Sequence, residues 1–268
     1  MTFPQDGLRD AVVIVTGSAQ GIGRAIAVSA ARQGARVVVN SRTRANLAPV
    51  LDEITEAGGT VHGIQADLRD AGQADALMAE TADTYGRIDL LVNNAAGLFF
   101  AKAEDISPNG WRTVIDTNLT TAFLCCRAAF PYFRRQGDGR VLNVSSTAAY
   151  HPHVGGAHYA AAKAALNSLT QTLAVEWAPH GIQVNGVAPG AVRTEGSRFS
   201  DPGERAKVEA ELPGGHIAEP EEIAEVVLSV ATTATGYLNG ETVRVDGAHR
   251  APLQRSSVQT TRHGGKGE

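Results

Sequence analysis

Seven short, nearly unbroken runs of apolar and β-branched residues recur along the chain: Ala11–Val15, Arg36–Asn40, Thr60–Ile64, Ile88–Val92, Arg140–Val144, Ile182–Val187 and Thr242–Val245. A strand with one face in water alternates apolar with polar residues, whereas a strand covered on both faces is apolar at successive positions. These runs are of the second kind and predict the buried strands of a parallel sheet. The longer stretches between them predict helices: Gly21–Gln33, Thr43–Ala57, Ala71–Tyr85, Pro108–Arg135, Ala157–Ala178 and Pro220–Thr232. Two carry start signals. Ser107-Pro108 sets a capping hydroxyl before a first-turn proline, and Glu219-Pro220-Glu221-Glu222 sets acidic groups against the positive end of the next helix. Strands alternating with helices predict an α/β fold, a doubly wound parallel sheet of about seven strands with helices on both faces.

No repeat and no Pro/Ser/Gly-rich linker divides the chain, so residues 1–250 read as a single domain. Two stretches break the alternation. Residues 194–215 are polar, turn-rich and long for a connection, which predicts a structureless loop acting as a substrate lid. Residues 251–268 are polar and glycine-ended and read as a flexible tail.

Composition narrows the function. Hydrophobic residues make up 43% of the 268 and charged residues 19%, enough apolar side chains for a large core. The balance of 24 Lys+Arg against 28 Asp+Glu, with no basic block, lacks the positive stripe that phosphate backbones require, so nucleic acid is not an expected partner. No apolar stretch approaches the ~18 residues of a membrane span, and residues 1–10 lack a leader pattern, so the expected location is cytoplasmic. Cys125 and Cys126 are adjacent and read as buried apolar residues rather than a bridge.

The first strand runs into Thr16-Gly17-Ser18-Ala19-Gln20-Gly21-Ile22-Gly23 and then directly into a helix. Glycines allow a tight turn and close approach to a pyrophosphate, and a helix N-terminus offers unpaired N–H groups and partial positive charge. Further on come Asp67, Asn93-Asn94-Ala95-Ala96-Gly97, Asn118, Ser146, Tyr159-Ala-Ala-Ala-Lys163 and Pro189-Gly190. This ordered set, over about Arg9 to Gly247, resembles the short-chain dehydrogenase/reductases. The resemblance implies a Rossmann-type fold, a nicotinamide dinucleotide and hydride transfer. It places Tyr159, Lys163, Ser146 and Asn118 at the four catalytic positions, with the asparagine amide helping to hold a water beside the lysine. Around the cofactor it places Gly17, Ser18, Gln20, Gly21, Ile22, Gly23, Ser41, Arg42, Asp67, Leu68, Asn94, Pro189, Gly190, Val192 and Thr194, besides Tyr159 and Lys163. Asp67 corresponds to a contact with the adenine amino group, Asn94 to one with the adenosine ribose, and Lys163 also to the nicotinamide ribose hydroxyls.

The residues support this chemistry independently. Tyr159 and Lys163 are four apart on a predicted helix and share a face. Ketone reduction develops negative charge on oxygen and needs a positioned acid, which a tyrosine can be, and a nearby ammonium favours the phenolate needed for the reverse reaction. Ser146 follows a strand, where ligands bind in open α/β sheets, with Ser145 as its competitor. His151 and His153, near His158, have metal-like spacing without an acidic or thiol companion, so no metal is expected; the resemblance, in which this segment lines the substrate pocket, implies that Tyr150, His151 and His153 contact substrate.

At the end of strand two, Ser41 carries no charge to repel a phosphate and Arg42 and Arg44 follow, which predicts NADP(H) over NAD(H). The expected activity is hydride transfer between NADP(H) and a carbonyl or secondary alcohol. Asn93–Gly97, with one alanine more than the usual form, together with Ala103–Pro108 and Ala174–Trp177, also resembles the 2,4-dienoyl-CoA reductase branch, so an enoyl or dienoyl thioester reductase is the alternative. A non-catalytic NADP-binding sensor or scaffold is the alternative from another class. Apolar residues on two long helices, among them Phe123, Leu124, Phe130, Leu169 and Leu173, predict a homodimer or homotetramer.

Overall fold

The computed structural model describes residues 7–151, 153–195 and 197–249. The seven strands are β1 (Val12–Val15), β2 (Arg36–Ser41), β3 (Thr60–Gln65), β4 (Leu90–Asn93), β5 (Gly139–Val144), β6 (Ile182–Pro189) and β7 (Thr242–Val245). All neighbours pair parallel, in the order β3-β2-β1-β4-β5-β6-β7. Strand order reverses between β1 and β4, and the crevice at the carboxyl ends of such a pair is where ligands bind.

Doubly buried strands explain the unbroken apolar runs. Val13, Val15, Val37, Val39, Leu90 and Val92 point into one core, while Ile14, Val38 and Leu91, the residues between them, point into the other. The first core is closed by α1 (Gly21–Arg32), α2 (Ala48–Glu56) and a late helix that contributes Ile223, Ala224, Val227 and Leu228. Next along the chain come α3 (Ala71–Tyr85), α4 (Pro108–Ile115), α5 (Thr121–Gln136), α6 (Ala157–Trp177), α7 (Pro202–Glu211) and that late helix, α8 (Pro220–Thr232). The second core is built from α3, α5 and α6 through Leu77, Met78, Cys125, Cys126, Phe133, Leu173 and Trp177. Each such aliphatic or aromatic side chain contributes about 1.5–3 kcal/mol on burial. Both cysteines are buried and free, and burial pushes the Cys126 thiol up to about 12.

Three departures from the sequence expectations have physical causes. The helix expected from Thr43 begins as a 3₁₀ turn, Arg44–Leu47, because Pro49 belongs in the first turn of α2 rather than in an interior. The stretch expected as one helix, Pro108–Arg135, contains a π turn at Asp116–Thr120, with the Thr121 N–H reaching back to the Asp116 carbonyl. The supposedly structureless segment 194–215 contains α7. Its start is capped by Asp201, which accepts from the Glu204 N–H at 2.8 Å, ahead of Pro202 in the first turn. That signal was present in the sequence, but α7 buries none of its residues, and without an apolar stripe it escapes periodicity. The predicted tail at 251–268 lies outside the described residues.

Candidate active site

The glycine loop joins β1 to α1 and fits closely against the end of β4. Gly17 has φ +59°, and a Cβ there would lie 2.8 Å from the Ala95 Cα. At Gly23 a Cβ would fall 2.4 Å from the Asn94 amide nitrogen. That amide donates to the carbonyls of Thr16 and Gly17, at 3.0 Å each, and the Thr16 hydroxyl receives the N–H groups of Asn94 and Ala95. Asn40, buried at the end of β2, ties the other side: its amide donates to the carbonyls of Ile64 and Ala66. Sequence reading missed this role, though a polar residue closing an apolar run was its signal. Ser18 turns inward, its hydroxyl donating to the Val15 carbonyl at 2.8 Å and receiving the Asn40 N–H at 2.9 Å. Of the loop, Gly17, Ala19 and Gln20 face the neighbouring cleft, and the Ser18 side chain does not.

That cleft, of about 570 Å³, is bounded by the glycine loop, Ser41 and Arg42 after β2, Asp67, Leu68 and Arg69 after β3, and Ala95–Phe99 after β4. Arg69, not singled out from sequence, hydrogen-bonds Asp67 through Nε at 2.9 Å and through Nη2. This hydrogen bond holds the Asp67 carboxyl below its ordinary value. Pro189 ends β6 and Gly190 follows it, the Gly190 N–H donating to the Val245 carbonyl at 2.9 Å. Val192 is buried, while Thr194 packs on the glycine loop, its Cγ2 3.1 Å from where a Gly21 Cβ would be. The volume, the missing side chains and the N–H groups of α1 fit the dinucleotide that the sequence pattern implies.

Deeper in, α6 brings Tyr159 and Lys163 to the end of β5. Lys163 is 2% exposed, and its ammonium donates to the Val144 carbonyl at 2.8 Å and lies 5.6 Å from the centre of the Tyr159 ring. Desolvation lowers its pKa to about 8. Burial raises the Tyr159 pKa, outweighing the influence of the Ser146 hydroxyl, which favours the phenolate. Ser145 is spent inside the fold, its hydroxyl 2.6 Å from Asn167 Oδ1. A polar ladder of Asn93, Asn143 and Thr170, linked at 2.9 Å each, lies beneath. Asn118 sits in the π turn, its amide donating to the carbonyls of Gly97 and Val114 at 2.6 and 2.8 Å. Both amide hydrogens are thus committed to the protein, so the side chain braces the cleft wall rather than offering them to a water.

Beyond Tyr159 the surface is apolar and aromatic. The His153 ring lies 6.0 Å from that of Tyr159 and 5.7 Å from that of Phe100, and His158 meets Phe99 edge-on at 4.5 Å. Phe99 and Phe100 are 41% and 64% exposed. Among the described residues no cluster of three or more His, Cys, Asp or Glu could hold a metal, and no helix is long and apolar enough to cross a membrane.

Fold and site define a Rossmann-type dehydrogenase, and the comparisons agree. Residues 11–205 match the family model described as short chain dehydrogenase, and the chain belongs to that family. It is 38% identical over 240 residues to a probable 2,4-dienoyl-CoA reductase of Bacillus subtilis, covering 88% of this chain and 94% of the relative. It is also 38% identical over 246 residues to 3beta-hydroxysteroid dehydrogenase 1 of Eggerthella lenta, covering 90% and 94%. Among solved structures, one assigned as an NAD(P)-dependent gluconate 5-dehydrogenase from Beutenbergia cavernae, with bound NADP at low occupancy, superposes with a TM-score of 0.85 at 36% identity, covering 91% of this chain and 98% of that one.

Proposed function

We propose that this oxidoreductase transfers a hydride between NADP(H) and a carbonyl or secondary alcohol, with Tyr159 as the acid/base. The observation that carries the reading is Tyr159 one helical turn from a fully buried Lys163, whose ammonium lies 5.6 Å from the tyrosine ring and bonds the end of β5, the strand that Ser146 follows. The nicotinamide, when bound, supplies or takes the hydride. In the reducing direction Tyr159 delivers its proton to the carbonyl oxygen, and the Ser146 hydroxyl donates to that same oxygen as charge grows on it. An ammonium has three N–H groups and Lys163 gives one to Val144, which supports a role for the others on the nicotinamide ribose hydroxyls. Asn118 enters as a positioning residue that fixes Gly97 at the cleft wall.

NADP(H) is favoured over NAD(H) because Ser41 brings no charge and Arg42 and Arg69 border the cleft, while the carboxylate nearest them, Asp67, is neutralised by Arg69. The aromatic surface of Phe99, Phe100 and His153 favours an apolar cyclic or aromatic substrate. The segment 194–215 serves as its lid, within one domain spanning 1–250. The exposed apolar residues Trp111 and Phe123 on α4 and α5, and Val175 on α6, favour a homodimer or homotetramer; free, buried cysteines suit the cytoplasm.

A dienoyl thioester reductase is the second reading, favoured by the Bacillus subtilis relative and by the segment Asn93–Gly97. An NADPH-oxidation panel of aliphatic, aromatic and polycyclic ketones, 3-ketoacyl thioesters and dienoyl thioesters decides. Turnover of ketones is the expected result. Turnover of dienoyl thioesters alone overturns the carbonyl reading, and consumption of NADPH by none of them favours a sensor.

A further inference from the structure

The first N–H of α1 is already occupied by an anion from the protein itself. The Gly21 N–H donates to Glu195 Oε2 at 3.1 Å, and Glu195 Oε1 lies 3.9 Å from Arg24 Nη1 on the next turn of the same helix. Arg24 is held independently by Glu53, at 2.8 Å through both Nε and Nη2, so the guanidinium does not depend on Glu195 for its place. The neighbouring Thr194 rests its methyl on Gly21, which brings the start of the 194–215 segment down on the glycine loop. These contacts join residues 174 apart in sequence.

A dinucleotide pyrophosphate uses the N-terminus of this helix, where N–H groups and the helix dipole favour negative charge. One N–H has a single hydrogen, and two anions on one donor repel each other. We propose that Glu195 is an internal stand-in for the cofactor pyrophosphate: it seats the first turn of the lid on the glycine loop in the cofactor-free enzyme and must leave when the dinucleotide binds. Glu195 is then an affinity-setting residue of the cofactor site. It lowers apparent affinity by the fraction of molecules in which the carboxylate is docked, and it couples cofactor arrival to release of the segment that covers the substrate. The inference rests on the dinucleotide reading of the glycine loop.

The test compares the full-length protein with Glu195→Gln, which removes the charge, and Glu195→Ala, which removes the contact. NADPH and NADH dissociation constants are measured by titration, and exchange of backbone amides is followed by mass spectrometry over a peptide containing Gly21. Both variants should bind both cofactors about 2- to 5-fold more tightly, the size that an exposed anion at a helix terminus implies. In Glu195→Ala the Gly21 peptide should exchange faster than in the parent without cofactor and equally at saturating cofactor. Unchanged or weakened affinity in both variants, or equal exchange without cofactor, overturns the proposal. Failure of the parent protein to bind any dinucleotide overturns the reading beneath it, a result distinct from either.

Discussion

Ser145 and Ser146 are adjacent at the end of β5 and have different partners: Ser145 Oγ lies 2.6 Å from Asn167 Oδ1, whereas the Ser146 hydroxyl receives the Ala148 N–H at 3.2 Å and favours the Tyr159 phenolate. Their alanine variants should therefore fail differently. Ser146→Ala should lower kcat by about 10²- to 10³-fold with little loss of stability, as removal of a donor to a developing oxyanion does. Ser145→Ala, which removes the donor to the half-buried Asn167 amide oxygen, should cost about 0.5–1.5 kcal/mol in denaturant unfolding and leave kcat near the parent value. Equal kcat losses in the two variants would contradict the assignment.

Tyr159→Phe keeps the ring and removes only the hydroxyl. Turnover should fall by about 10²- to 10⁴-fold while NADPH still binds, read by steady-state kinetics alongside cofactor titration. Parent-like turnover would exclude Tyr159 as the proton donor and favour the thioester alternative.

The pH dependence of stability should carry a mark of Lys163. Burial lowers its pKa from 10.5 to about 8, so between those values the unfolded chain binds a proton that the folded chain does not. Stability then rises with pH across that window, because the penalty for burying the ammonium is in full force below pH 8 and is relieved above it. Relative to Lys163→Met, the cofactor-free enzyme should gain up to roughly 3 kcal/mol on going from pH 7 to 10.5, at about 1.4 kcal/mol per pH unit. A difference between the two that does not vary with pH would contradict a desolvated Lys163.

Arg42→Ala should weaken NADPH by about 10- to 150-fold and leave NADH nearly unchanged, since a charge-assisted contact to a 2′-phosphate is worth about 1.5–3 kcal/mol. Ser41→Asp should invert the preference by repelling the phosphate and accepting from a ribose hydroxyl. Equal losses for the two cofactors would remove Arg42 from the discrimination.

Phe123, at 44% exposure, and Val175, at 77%, lie on the outer faces of α5 and α6 and invite a second copy of the chain. Light scattering at micromolar concentration should return a mass at least twice the 28.0 kDa of one chain. A charged residue at Phe123 should shift that mass downward without unfolding the protein.

The sequence alone determined the sheet, because a strand buried on both faces is apolar at most successive positions and its run is visible without any knowledge of its neighbours. It also determined the glycine loop, the Tyr159 and Lys163 pairing and the charge after β2, since each is a local pattern within one turn or one helix face. Tertiary structure decided what depended on distant partners. Which partner Ser145 takes follows from which residues of α6 lie opposite β5. The inward turn of Ser18 follows from Asn40 on the next strand, 22 residues away. The π turn that carries Asn118 comes with its hydrogen bonds to Gly97 across the cleft wall, and no periodicity announces it. The neutralisation of Asp67 by Arg69 and the docking of Glu195 on Gly21 are electrostatic facts of the folded chain. Pattern reads the surface a segment presents, but only packing settles which charge meets which donor.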